Sequence, residues 1–275
     1  MFKDIQVFID SKGAEDPALA AAISLAAGHL TVKALGAVPF YEEYFLGAMM
    51  HEAYQDQHKA TIAAAEARAE AAGALARREC SSVESAALVA DIDLLPMDVA
   101  VHGRYTDLNV ISARSNFSDP RLWDRLVTTL VFDTGRPVLV APAKVTLPPK
   151  RVAVGWNASA QAVRAVHDAL PLLAGAEQVD VVLVDPEPTE QGHGPEPGAD
   201  IARHLARLGL PNIMVQRVAS GGQSVAQTLL RTAVDQAADM IVMGAYGHSR
   251  VWEVILGGAT KDMLADPKIP IFLAH

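Results

Sequence analysis

The chain has 275 residues, of which 51% are hydrophobic and 20% are charged, and its formal net charge is −9. This composition supports one large or two ordinary globular domains and is too apolar for intrinsic disorder. The acidic balance excludes general DNA or RNA binding, which needs clustered Lys and Arg, but it permits a nucleotide held by backbone N–H groups.

The cysteine count and the first residues indicate the compartment. Cys80 is the only cysteine, so it forms no internal disulfide and no cysteine zinc site. The opening stretch MFKDIQVFID predicts a strand rather than a signal peptide, and no apolar run reaches the ~20 residues of a membrane helix. We therefore expect a cytoplasmic protein with no membrane partner and no resident metal.

The predicted elements, taken in chain order, repeat one pattern twice. The first half begins with the strand IQVFID, then has an extra helical segment within Tyr41–Arg78, and ends with YTDLNVIS and GRPVLVAP. The second half has the counterparts VAVGWN, AADMIVMG and KIPIFLAH, the last two at offsets of 132 and 133. A competing alignment of DVAVHGRY with DMIVMGAY is rejected, because it requires eight extra residues before the final strand.

The second half alternates strand and helix. Strands are predicted near Arg151–Trp156, Val179–Val184, Ile213–Val218, Met240–Gly244 and Ile269–Ala274, with helices near Ala160–Ala174, Asp200–Leu208, Val225–Ala237 and Thr260–Ala265. Apolar strands separated by helices indicate a parallel sheet covered on both faces. With a linker at Pro148-Pro149, the fold class is α/β, with two tandem doubly wound parallel-sheet domains at 1–145 and 150–275.

A glycine-rich segment, GAYGHSRVWEVILGGAT, follows the fourth strand of the second half. Gly244 ends that strand, Gly247 lies in the next turn, and Gly257-Gly258 precede a predicted helix start, where free N–H groups would face a phosphate. The segment is neither a Walker A motif nor GxGxxG. On these grounds alone, turn glycines without a ligand explain it equally well.

The spacing G-x2-G-x9-G, followed by a small residue and Thr, closely resembles the ATP loop of the universal stress protein family. VAVGWNAS resembles the first strand of that family and IPIFLAH its fifth. The two-copy layout resembles the tandem members, strongly in the second half and weakly in the first. The resemblance implies an adenine nucleotide alpha hydrolase-like fold.

The resemblance also implies a set of nucleotide-binding residues. Asn157 and the backbone near Val184 would face adenine and ribose, and Met243, Gly244 and Gly247 would line the ribose and phosphate path. The triphosphate, with Mg²⁺ bound only through it, would contact Gly257, Gly258, Ala259 and Thr260. His248 and Arg250 follow Gly247 and could reach the phosphates, although a solvated loop explains each of them as well.

Two residues depart from the family pattern. Gly258 stands where the family has Ser or Thr, and Asn157 stands where it has Asp. Losing one hydrogen bond to a charged phosphate costs about 1.5–3 kcal/mol, unless backbone N–H groups compensate. An amide at 157 can still pair with the base or the ribose, but with different donor and acceptor roles.

The first half lacks every glycine of this segment. At an offset of 132, Ser112 and Ser115 replace Gly244 and Gly247, and Asp124-Arg125 lie near the position of the glycine pair. We expect this half to be a partner domain without nucleotide. The resemblance implies that the two domains pair in a pseudo-twofold arrangement through Val138–Val140 and Ile271–Leu273, and it leaves a homodimer open.

Catalytic motifs are missing from the sequence. It contains no G-x-S-x-G and no HExxH, and His102, His167 and His204 are scattered. We therefore expect no catalytic residues and at most slow ATP hydrolysis. The favoured function is adenine nucleotide binding, as ATP or a relative, in a stress-response or regulatory role. The alternatives are a tandem scaffold acting through protein partners and an adenylating enzyme.

Overall fold

A computed structural model describes residues 2–39, 48–188, 194–245, 263–264 and 267–275, with backbone alone at 48–51. The chain forms two compact units, Phe2–Arg136 and Pro137–His275. No helix in the described ranges is both long and apolar enough to cross a membrane.

The first unit is a parallel sheet with helices between its strands. Its strands are β1 (Phe2–Ile9), β2 (Ala26–Val38), β3 (Ser82–Asp91) and β4 (Leu108–Ser112), in the spatial order β3-β2-β1-β4. Its helices are α1 (Pro17–Leu25), α2 (Ala48–Ala76), α3 (Leu95–Gly103) and α4 (Pro120–Asp133). The long α2 confirms the extra helical segment predicted within 41–78.

Local chemistry explains where these elements begin. Ile5, Val7 and Phe8 are fully buried, as expected for a parallel strand with both faces covered. Helix α1 begins after Asp16, whose carboxylate accepts a hydrogen bond from the Ala18 N–H at 2.9 Å. Burial of this cap raises the pKa of the Asp16 carboxyl to about 6.

The second unit has the same layout with two added strands, Val138–Ala141 and Ile271–Ala274. Its strands are β5 (Val138–Ala141), β6 (Arg151–Gly155), β7 (Gln178–Val184), β8 (Ile213–Val218), β9 (Met240–Gly244) and β10 (Ile271–Ala274), in the order β5-β10-β9-β6-β7-β8. Its helices are α5 (Ala160–Asp168), α6 (Leu170–Leu173), α7 (Ala199–Arg207) and α8 (Val225–Asp235). All neighbouring strands are parallel except β5 and β10.

The antiparallel pair of β5 and β10 confirms the predicted strand contact. Val140 lies opposite Ile271 and Val138 lies opposite Leu273. Because of this pairing, β5 groups with the second unit, although it precedes the Pro148-Pro149 linker in sequence. Strand β5 covers the edge that β10 would otherwise expose.

The observed strands confirm the internal alignment. Strand β9 begins 132 residues after β4, and β10 begins 133 residues after β5. The competing alignment is excluded, because its segment Asp98–Tyr105 lies mostly in helix α3.

One predicted helix is broken. The sequence pattern predicted a single helix over Ala160–Ala174, but α5 ends at Asp168 and α6 begins at Leu170. Pro171 has no N–H to donate to the carbonyl four residues before it, and its ring disfavours a continuous helix. The helix predicted around Thr260–Ala265 lies mostly outside the described residues.

Candidate functional site

A cavity of about 170 Å³ opens at the carboxyl ends of three strands of the second unit. It lies where β6 has β7 on one side and β9 on the other, the switch point at which α/β sheets bind ligands. Its lining residues come from the ends of β6, β7 and β9 and from the first turns of α8: Gly155, Trp156, Asn157, Val182, Val184, Val225, Leu229, Met243 and Gly244.

The structure brings four of the eleven predicted residues to this cavity. Asn157, Val184, Met243 and Gly244 come from three different strand ends and line the same space. The other seven lie outside the described residues: Gly247, His248, Arg250, Gly257, Gly258, Ala259 and Thr260.

The side chain of Asn157 is oriented by the cap of α5. Its Oδ1 accepts hydrogen bonds from the backbone N–H of Ser159 at 3.1 Å and from the Ser159 hydroxyl at 2.6 Å. The Ser159 Oγ in turn accepts from the Ala162 N–H, which caps the helix. Asn157 therefore uses its acceptor within the protein, and its Nδ2 remains the donor that can serve a ligand.

The packing of the protein explains why residue 244 is glycine, which the sequence did not reveal. A Cβ at this position would lie 2.5 Å from the Ala162 nitrogen and 2.5 Å from the Gln161 carbonyl carbon. The first turn of α5 therefore packs directly on the end of β9. Helix packing, and not only the approach of a ligand, requires glycine here.

The apolar walls of the cavity were missed in the sequence. Trp156, Val182, Val225 and Leu229 line it beside the predicted residues, and Val182 and Leu229 also belong to a buried cluster of the core. Gly155 leaves room for this packing, since its Cβ would lie 2.7 Å from a Leu229 methyl carbon. Positions one or two residues from a strand end could have indicated Trp156 and Val182, but Val225 and Leu229 lie on helix α8.

The loop that precedes α8 is fixed at two places. The α8 N-terminus carries a capping box, in which Ser224 Oγ accepts from the Gln227 N–H and the Gln227 side chain accepts from the Ser224 N–H. Asp185, directly after β7, accepts a 3.0 Å hydrogen bond from the Ser220 N–H. Hydrogen bonds from the Ser220 side chain and backbone hold the pKa of Asp185 below its usual range.

The corresponding strand ends of the first unit are filled by its own side chains. The fully buried indole of Trp123 donates a 2.7 Å hydrogen bond to the carbonyl of Ser112, the counterpart of Gly244. Asp10, after β1, accepts from both the N–H and the hydroxyl of Ser118 at 2.7 and 2.6 Å. Asp124 pairs with Arg114 at 2.9 Å. Polar groups at these strand ends therefore have hydrogen-bond or ion-pair partners within the first unit.

Two histidines that were treated as scattered meet in the second unit. The rings of His167 on α5 and His204 on α7 have their centroids 5.4 Å apart. They line a second cavity, of about 350 Å³, which Trp156 also lines. Within the described residues, no three His, Cys, Asp or Glu side chains group as metal ligands.

Comparisons with known proteins agree with the fold. Residues 149–275 match the model of the universal stress protein family. A universal stress protein from Synechocystis sp. is 26% identical over 92 residues, an alignment covering 26% of this chain and 32% of that protein. The chain thus aligns with about a third of the length of this relative.

Two solved structures share the fold along the chain. A universal stress protein from Archaeoglobus fulgidus superposes with a TM-score of 0.64 at 14% identity, covering 98% of this chain and 95% of the other. A protein described as functionally unknown from Pseudomonas aeruginosa gives 0.56 at 12% identity, covering 99% and 92%.

Fold and cavity together define a class: an α/β domain whose parallel sheet carries a small-molecule cavity at its switch point. From residue 149 to residue 275, the second unit matches the model of the universal stress protein family.

Proposed function

We propose that the second unit binds ATP or a related adenine nucleotide in the cavity at the ends of β6, β7 and β9. The chain would act in the cytoplasm in a stress-response or regulatory role. The observation that carries the proposal is the convergence of Asn157, Val184, Met243 and Gly244 on one cavity. They lie up to 87 residues apart in sequence.

The lining of the cavity suits a flat base. Trp156, Val182, Val184 and Leu229 offer apolar surface, and Asn157 Nδ2 offers a donor to a ring nitrogen or a ribose oxygen. A volume of about 170 Å³ is below the ~300–1,000 Å³ of pockets that enclose a whole drug-sized ligand. The cavity would therefore hold the base, with ribose and phosphates extending beyond it.

The phosphates would lie along the glycine segment that follows β9. Gly247, Gly257 and Gly258 would present backbone N–H groups, and Thr260 a hydroxyl, to the triphosphate. Mg²⁺ would bind through the phosphate oxygens. In this proposal, residues 1–145 form a partner domain without nucleotide and residues 150–275 form the binding domain.

Two observations favour a second candidate, a scaffold that acts through protein partners. Gly244 is already explained by the packing of α5, so this glycine alone is no evidence for a ligand. In the first unit, Leu94, Met97, Val101 and Tyr105 are large, exposed and spaced three or four residues apart around α3. Such an apolar stripe is typical of a contact surface.

The experiment that separates the candidates begins with the purified full chain. Denaturation followed by mass spectrometry would release any bound adenine nucleotide, and calorimetric titration with ATP and Mg²⁺ would measure binding. We expect saturable binding, lost in Gly247→Val. The matched control is Gly175→Val, at a site where a Cβ meets only the Leu172 carbonyl oxygen, at 3.7 Å.

Two results would contradict the proposal. No released nucleotide and no heat at millimolar ATP would favour the scaffold. Unchanged affinity in Gly247→Val would refute the assignment of the glycine segment. A third variant, Leu229→Phe, tests the base site by adding volume to its wall. It should weaken ATP binding at least about tenfold, which corresponds to about 1.4 kcal/mol of binding free energy.

A further inference from the structure

Apolar side chains and two imidazoles line the cavity between α5 and α7. Val163, Val166 and Ile201 line it together with His167 and His204, whose ring planes are inclined by 47°. In the part of the chain that the structure describes, neither imidazole takes part in a hydrogen bond or an ion pair. Their ring nitrogens are therefore available to a ligand.

The ends of two helices favour a cation at this place. His167 lies in the last turn of α5 and His204 in the last turn of α7. The last turn of a helix carries carbonyl groups without internal partners and a partial negative charge.

Two of the three arginines near these histidines are paired with carboxylates, and the third, Arg207, lies in the last turn of α7. Asp200 lines the same cavity and pairs with Arg203 on α7. On α5, Asp168 pairs with Arg164 at 2.8 Å, one turn before it. Arg164 and Arg203 are therefore each balanced by a carboxylate.

The distance between the rings matches a metal bridge. A Zn²⁺ ion about 2.1 Å from one nitrogen of each imidazole lies roughly 3.2 Å from each ring centre, so a tetrahedral angle separates the centres by about 5.2 Å. The observed separation of the His167 and His204 centroids is 5.4 Å. Parallel stacking is excluded by the inclination of 47°.

We propose that His167 and His204 bind one divalent transition-metal ion of the Zn²⁺ class. The protein supplies two nitrogen ligands and water completes the coordination. Bound metal would join α5 to α7 across the cavity. Only Trp156 is shared with the nucleotide cavity, so this site does not depend on nucleotide binding.

The test uses the full chain with its affinity tag removed and with no nucleotide present, since ATP itself chelates zinc. Zn²⁺ affinity and stoichiometry are measured by competition with a chromophoric chelator. The variants are His167→Gln and His204→Gln, one on each helix. The matched control is His58→Gln, on helix α2 of the first unit, which keeps the number of histidines equal to that of the test variants.

We expect one Zn²⁺ per chain, an affinity at least about tenfold weaker in each test variant, and no change in the control. A rise in melting temperature with Zn²⁺, present in the wild type and lost in both variants, would support the bridge between helices. Absence of saturable binding in the wild type would overturn the proposal. Wild-type affinity in either test variant would overturn it as well, and the circular dichroism of each variant verifies its fold.

Discussion

Replacing Gly244 by alanine separates two reasons for a glycine at the end of β9. If the packing of α5 requires it, the added methyl group destabilises the fold. If the ligand alone requires it, the methyl group leaves the fold unchanged and blocks the nucleotide. The structure favours the first reason, because the methyl carbon of an alanine would lie 2.5 Å from two backbone atoms at the start of α5.

The expected loss of stability in Gly244→Ala follows from the nature of the contact. Real Cβ atoms essentially never approach other atoms within 3.0 Å, and backbone atoms of a helix turn cannot rotate away as a side-chain end does. Overpacking of a core costs about 1–3 kcal/mol. For a protein of this size each kcal/mol lowers the melting temperature by about 2–4 °C, so Gly244→Ala should lower it by roughly 2–12 °C.

The assay is thermal and urea denaturation of the wild type, Gly244→Ala and the control Gly175→Ala. The control adds a methyl group where only one atom lies within 4 Å, so its stability should stay within about 0.5 kcal/mol of the wild type. A Gly244→Ala protein as stable as the wild type, but unable to bind ATP, would refute the packing argument and restore the ligand as the reason for this glycine.

Three further predictions concern buried polar groups. Burial raises the pKa of Asp16 from 3.8 to about 6, so its contribution to stability is complete below pH 4 and is lost as the pH rises through 6. Asp16→Asn keeps the helix cap and should remove up to about 3 kcal/mol of this pH dependence. The free energy of unfolding is measured by urea denaturation between pH 4 and 7, and an unaltered pH profile would contradict the prediction. Asp180 is fully buried and pairs with Arg151 at 2.6 Å. Arg151→Met should therefore cost about 3–5 kcal/mol, and the double variant with Asp180→Leu should recover part of it, which a double-mutant cycle checks. Trp123→Phe should cost about 1–3 kcal/mol by leaving the Ser112 carbonyl unpaired, and equal melting temperatures would show that water replaces the indole.

The order of strands and helices could be read from the sequence to within a few residues. Apolar runs such as Met240–Gly244 have no alternation, so they predict strands buried on both faces, and the structure places β9 over those residues. The offset of 132 located β4 because the same buried pattern recurs there. The break between α5 and α6 was missed, since its neighbours are strong helix formers and only Pro171 marks it.

The candidate site was predictable only in part. Asn157, Val184 and Gly244 follow from strand ends and from resemblance to a family, because parallel strands bring their carboxyl ends to one edge. Leu229 and Val225 were not predictable, because a helix side chain reaches the cavity only through the packing of α8 on the sheet. The contact of His167 with His204 could not be predicted for the same reason, since the two residues lie on different helices with α6 and β7 between them in sequence.

The sequence by itself determined the class of fold, the internal repeat and the segment that carries glycine, because these depend on local patterns of apolar residues and backbone freedom. Only the tertiary structure decided why Gly244 is glycine, which residues line the cavity at the strand ends and which histidines meet. Each of these depends on the distance between atoms far apart in sequence, and that distance is fixed by how helices pack on the sheet. The glycine at the end of β9 therefore has two candidate partners, the helix that contacts it and the nucleotide proposed to lie beside it.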